Sequence, residues 1–283
     1  MKNLLLRCRY MKFAKASHLS FSQSSQNILN SGPSLIINDS GSQTVKRKRG
    51  KTSSTFCIPV LDTSFIQELS SVVAVNLRLD SISWSKLCRK DNLLSDWGVV
   101  HLPHDIIKMD PIKLFDLLQS IHEKLPTADI YVMEQIKQRQ GSKNPGTSVA
   151  FMMRLQILSM LIPMLSARRP SPFSKENDTS VSRIALLKPY LASRLFSLLV
   201  ADEQIAVEPI VKKMLNNEPS RTHSPLKISD DARHSYQASR SAFDRENMGV
   251  ALLMNVTFME LLVYANPSSH TILLKNFDDF VRR

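Results

Sequence analysis

The first strong pattern of apolar and polar positions lies between Ser70 and Leu87. The stretch "SSVVAVNLRLDSISWSKL" opens as a run of β-branched residues, after which Ile82 and Trp84 alternate with Ser81, Ser83 and Ser85. It predicts a buried strand, a turn near Arg78 to Asp80, and a second, antiparallel strand. "SDWGVVHL", from Ser95 to Leu102, fits the third strand of a meander.

The period then changes. In "DPIKLFDLLQSIHEKL", Asp110 suits an N-cap, Pro111 the first helical position, and Ile112, Phe115, Leu118 and Ile121 one helical face. "ADIYVMEQ" is short and nearly all apolar, as expected of a strand covered on both faces. Thr147 to Ala167 is apolar almost all round, the pattern of a buried helix, with Pro163 expected to kink or end it. "RIALLKPY" predicts another strand and "EPIVKKMLNN" a helix with Pro in its first turn. Asn216 to Ser239 reads as loop, and "RSAFDRENMGVALLMNVTFMELLVYA" as a closing amphipathic helix. Strands that follow a helix in this way pair parallel through right-handed crossovers. The fold class is therefore α/β: a ribonuclease-H-like mixed sheet, three-strand meander plus parallel strands, flanked by helices, over residues 56–283.

Charge separates the first 55 residues from this domain. Of the formal net charge of +12, ten Lys or Arg and the single acid Asp39 place +9 before residue 61, leaving +3 for the rest. Residues 1–55 mix Leu and Phe with Arg, Lys and Ser and then become a polar, Ser-rich stretch. This pattern predicts a mitochondrial transit peptide followed by a disordered basic linker, and hence a matrix or nucleoid location. "KRKRGK", Lys46 to Lys51, carries a competing reading as the nuclear address of an interaction protein. Cys8, Cys57 and Cys88 stand apart from one another and from any His at ligand spacing, so neither zinc nor a disulfide framework is expected. No continuous apolar run reaches the roughly 18 residues of a membrane span, because Arg154, Gln156 and Pro163 interrupt the most hydrophobic region.

A nuclease site on this fold needs carboxylates converging on divalent cations, which offset the charge developing on the scissile phosphate. Resolvases of the fold anchor the metal on a first-strand Asp, joined by a Glu ending the central strand and by acids on the last helix. Here the first-strand position is Asn76, an amide that brings no charge. Glu134 has the central-strand place, and the last helix offers Glu246 with Asn247 and Val250 where acids would face the site. Asp244 and Glu246 are two residues apart on a helix and cannot face one point. The set reads as vestigial, with no metal, no cofactor and no catalysis expected. The rival reading is an active, divergent resolvase or nuclease using Glu134 with Asp80, Asp244 or Glu246. In the loop "KQRQGSKNPG", Lys137, Arg139 and Lys143 lie beside the site and are candidate nucleic-acid contacts. Trp84 and Trp97 are read as core residues, Arg168, Arg169, Lys212 and Lys213 as helix-end charges, and His101 and His104 as without a role.

"KLPTADIYVMEQ", "SVVAVNLRLDSISWSKLCRK" and "NMGVALLMNVTFMELLVYA" together resemble the mitochondrial transcription elongation factor family, over roughly Phe56 to Ala265. The family's C-terminal domain is a resolvase-like ribonuclease H fold without nuclease activity. The resemblance implies a non-enzymatic factor that binds mitochondrial RNA polymerase and the DNA and RNA of the elongation complex, raises processivity and forms a homodimer. That family also carries a helix-hairpin-helix domain ahead of this one, whereas Ser17 to Thr55 supplies neither paired helices nor a glycine hairpin.

Overall fold

The computed structural model describes residues 56–136, 145–168, 183–200, 203–220, 222–239 and 241–281, all within the unit Ser53–Arg283. The leader, its basic cluster and the loop carrying Lys137, Arg139 and Lys143 lie outside the described residues. Strand β1 (Cys57–Ile58) and helix α1 (Thr63–Glu68) lead into the meander β2 (Ser71–Leu77), β3 (Ser81–Cys88) and β4 (Leu93–His101). A 3-10 turn (Ile106–Lys108) and α2 (Pro111–Lys124) return the chain to β5 (Ile130–Glu134), and α3 (Pro145–Ser166) returns it to β6 (Ile184–Leu187). There follow α4 (Leu191–Leu195), the pair β7 (Leu199–Val200) and β8 (Glu203–Gln204), α5 (Glu208–Leu215), β9 (Lys227–Ile228) and α6 (Asp230–Ala238). The chain closes with α7 (Ala242–Phe258), a π-helical turn (Met259–Val263) and α8 (Pro267–Val281).

Among the described residues the main sheet runs β1-β6-β5-β2-β3-β4-β9. The meander β2-β3-β4 is antiparallel, whereas β5 and β6 extend it in parallel from β2. This is the ribonuclease-H-like order, with two-residue strands added at both edges. Side-chain alternation sends Val73, Val75, Ile82 and Met133 into one core with α2 and α3. It sends Val72, Ala74, Ile130 and Val132 into another, built around α7.

Ser81, Ser83 and Ser85 do not face solvent, although the alternation with Ile82 and Trp84 has the look of a half-exposed strand. All three are at most 1% exposed and meet α7. Ser83 Oγ donates to the Asn247 carbonyl at 2.7 Å and Ser85 Oγ to the Ala251 carbonyl at 2.9 Å. In return Asn247 Nδ2 donates to Ser81 Oγ at 2.9 Å, and Asn255 Nδ2 to the Val72 and Ser85 carbonyls at 3.1 and 2.8 Å. The spacing makes this possible. Two residues advance a strand by about 6.7 Å and four advance a helix by about 6 Å, so alternate serines on β3 keep step with positions 247, 251 and 255. Trp97 Nε1 adds a bond to the Met248 carbonyl at 2.8 Å.

Close approach on the outer side of α7 needs Gly249, where a Cβ would lie 2.5 Å from Val207 Cγ2 and 3.0 Å from Val211 Cγ2. From Asn247 onward every residue of α7 except Val250 is buried, so it is a central helix rather than the amphipathic one its sequence suggests. By length and mean hydropathy it and residues 148–166 reach the range of a membrane span, but 83% of the α7 window is buried inside the domain.

The buried stripe of α2 is Leu114, Leu118 and Ile121 continued by Leu125, while Ile112 and Phe115 are exposed, because the stripe winds at the helical period and those two lie off it. Helix α3 is not buried all round: Met153, Ile157, Leu161 and Leu165 face the core, and Val149 and Met152 face outward. Pro163 neither ends nor breaks it, since Pro163 and Ser159, whose carbonyl loses its partner, are both exposed and open to water. The segment read as loop before Ser239 contains α6, capped by Ser229 and opened by Asp230 and Asp231. Only Ala232 and Tyr236 anchor it, too few to set a visible period.

Arg168, just beyond α3, holds the C-terminal end of α2. Its guanidinium donates to the His122 and Leu125 carbonyls and to His122 Nε2, the last at 2.8 Å. An imidazole that accepts there must be neutral, and burial together with the Arg168 charge lowers the His122 pKa. The neutral ring therefore stabilises the fold above the unfolded histidine value of about 6.5, and the contribution is lost as pH falls below it. Urea unfolding between neutral and mildly acid pH should show the wild-type chain losing more stability than His122→Gln, whose amide oxygen still accepts. Asn255→Ala, which strands buried acceptors of β2 and β3, is expected to cost about 2–3 kcal/mol in the same measurement.

Candidate functional site

The register Ala74↔Val132 between parallel β2 and β5 places Asn76 and Glu134 two residues further on in each strand, on the α7 side. With Arg154 of α3 they line a small cleft at the C-terminal ends of these strands. Asn76 is committed as a donor: its Nδ2 reaches Ser83 Oγ at 3.2 Å and the Asn247 carbonyl at 3.3 Å. Glu134 accepts from the Tyr190 backbone N–H at 2.5 Å. Tyr190 has the left-handed φ of 62° ahead of α4, a conformation uncommon for a residue with a side chain. Burial raises the Glu134 carboxyl above the ordinary carboxylate range, while the Tyr190 N–H and the Arg154 charge pull it back.

The other acids of this sheet end are engaged one at a time. Asp244, 8% exposed in the first turn of α7, has Oδ1 3.4 Å from His101 Nε2, close enough for an ion pair although not aligned as a hydrogen bond. Glu246 turns the opposite way and accepts the Val207 N–H at 3.0 Å, tying α7 to the start of α5. Asp80 stays in the β2–β3 turn, 3.9 Å from Arg78 and accepting from Ser81 Oγ. Val250 is half-buried and packs into the α7-side core. Arg78 in turn lies over the Phe243 ring, 5.1 Å from its centroid.

A divalent cation requires several oxygen donors around one point. Among the described residues no three His, Cys, Asp or Glu gather in that way. The donor set therefore does not fit the metal that the fold family implies, since the acids are dispersed, a guanidinium shares the cleft, and Asn76 presents its amide nitrogen to the helix.

Of the residues singled out from sequence, Asn76 and Glu134 share the cleft, Asn247 adjoins it through Asn76, and Glu246 does not reach it. Trp84 and Trp97 are core residues, with Trp97 stacked on Tyr236 at 4.3 Å. Lys212 pairs with Glu208 at 3.1 Å and Arg168 is spent internally. Arg154, Tyr190 and His101 were missed as members of this edge. A signal existed for the first: Arg154 is the only charged residue between 145 and 166. None existed for Tyr190, which acts through its backbone.

A scan against protein-family models and a search of curated proteins return no match. Eleven solved chains resemble the structure. One is T. thermophilus RuvC in complex with a Holliday junction substrate, at 6% identity and a TM-score of 0.40, covering 68% of this chain and 97% of the RuvC chain. A likeness at that level adds nothing to the reading of the site.

Asn76→Asp would replace a donor with an acceptor against the Asn247 carbonyl. It should destabilise the chain by about 1–3 kcal/mol at neutral pH, with the penalty relative to wild type shrinking as the new carboxyl protonates. Chemical unfolding across pH checks both parts.

Proposed function

We propose that this chain is a catalytically silent ribonuclease-H-like domain that acts by binding, as a mitochondrial transcription elongation factor working on mitochondrial RNA polymerase and the DNA and RNA of the elongation complex. The observation that carries the silent part is the dispersal of the acids. Glu134, Asp244, Glu246 and Asp80 each answer to a different partner, and the first-strand position is an amide. A metal site missing its anchor and its convergence lacks the means to generate a nucleophile or offset phosphate charge. The elongation-factor part is supported by the resemblance of "KLPTADIYVMEQ" and its companion stretches to that family.

A protein partner is supported from the other side of the sheet. There the 3-10 turn, α2 and α3 leave Ile107, Ile112, Phe115, Val149 and Met152 exposed, the kind of apolar surface a second copy or a polymerase covers. Lys137, Arg139 and Lys143, outside the described residues, remain the proposed contacts to nucleic acid.

Promoter-initiated transcription by the cognate mitochondrial polymerase should yield more long run-off product with the full chain than without it. Holliday junctions and RNA–DNA hybrids should stay intact with the same protein and Mg²⁺ or Mn²⁺. Cleavage lost in Glu134→Gln would show instead an active, divergent nuclease.

A further inference from the structure

We propose that Arg154 is the resident cation of the β2–β5 cleft, a guanidinium that serves as the permanent counter-charge of Glu134 in the place where this fold otherwise calls for a metal. The proposal rests on the reading of the domain as catalytically silent and says what made it so.

Helix α3 packs on the α2 side of the sheet through Ile157 and Leu161, whereas Asn76 and Glu134 belong to the α7 side. Arg154 nevertheless reaches the cleft that those two line, and its Nη2 is pinned to the Leu77 carbonyl, the last of β2, at 3.2 Å. A surface arginine would extend its head into water. Here Nε is enclosed and has no hydrogen-bond partner, an arrangement that costs free energy unless a charge offsets it.

Glu134 supplies that charge. Both groups line the cleft, further apart than a direct ion pair, and the opposite charge of each works against the effect of burial on the other. Arg154 is also the lone charge on an otherwise neutral helix, so α3 offers Glu134 no alternative cation. The chemical consequence is specific. A guanidinium holds its proton at any physiological pH and stabilises a carboxylate, but it carries no exchangeable water and cannot lower the pKa of one. The cleft thus keeps the electrostatics of a metal site without its reactivity.

The test is a double-mutant cycle in the full chain with Arg154→Met, Glu134→Gln and the pair, followed by urea unfolding near pH 8, where Glu134 is ionised in the unfolded chain and its burial without a counter-charge disfavours folding. Glu134→Gln should raise the folding equilibrium constant of Arg154→Met by about tenfold while giving no gain in the wild-type background. If Arg154→Met fails to fold, recovery of folding in the double variant is the same result. Additive effects, or a double variant as unfolded as the single one, would overturn the proposal and leave Arg154 a packing residue. Glu134-dependent cleavage by the wild-type chain would remove the silent-domain reading instead. Additivity without cleavage removes only the role given to Arg154.

Discussion

The contact between β3 and α7 sets the geometry of everything around it. Three serines on one face of a strand and two asparagines on one face of a helix exchange hydrogen bonds along a buried seam. Small polar side chains let the helix axis approach the sheet closely, and each bond is worth more for being shielded from water. The seam also fixes which residues of α7 point where. Once positions 247, 251 and 255 face β3, Gly249 must turn to α5, and Glu246 is carried toward the Val207 N–H.

The site at the end of the seam inherits this arrangement. Asn247 belongs to the seam and also accepts from Asn76, so the amide at the first-strand position is part of how α7 is held. An acid there would face a carbonyl oxygen. The absence of a charge at this position and the presence of a structural donor are thus one choice of residue, and Asp244 is left to an exposed histidine. On the opposite layer α3 adds the Arg154 guanidinium to the cleft.

The two faces of the sheet are built on different principles. Toward α7 the core contains a polar ladder within apolar surroundings, which enforces register because a slip of one residue would strand every buried serine. Toward α2 and α3 the packing is almost entirely apolar and is tied at one corner by Arg168, whose guanidinium collects the last carbonyls of α2. Apolar layers of that kind tolerate adjustment more readily. This layer leaves Ile107, Ile112, Phe115, Val149 and Met152 in solvent.

Local pattern in the sequence was enough for the strand meander, for α2 with Asp110 and Pro111 at its start, for β5 and for the general order of the sheet, because period, caps and turns act over a few residues. It was also enough to see that Asn76 cannot do what an acid does, since charge is a property of the residue itself. Burial of the β3 serines was not legible, because a period-two row of serines has the same appearance whether it meets water or a helix. Nor was the existence of α6, whose stability comes from Tyr236 against Trp97 and from its cap rather than from a stripe of its own. Which acids meet depended on the direction each helix presents them, and that was decided only when α7 docked on β3. Arg154 came to line the cleft of Glu134 from the far side of the sheet by a path no spacing in the chain encodes: a distance of twenty residues along the sequence became one cleft only after the strands had paired.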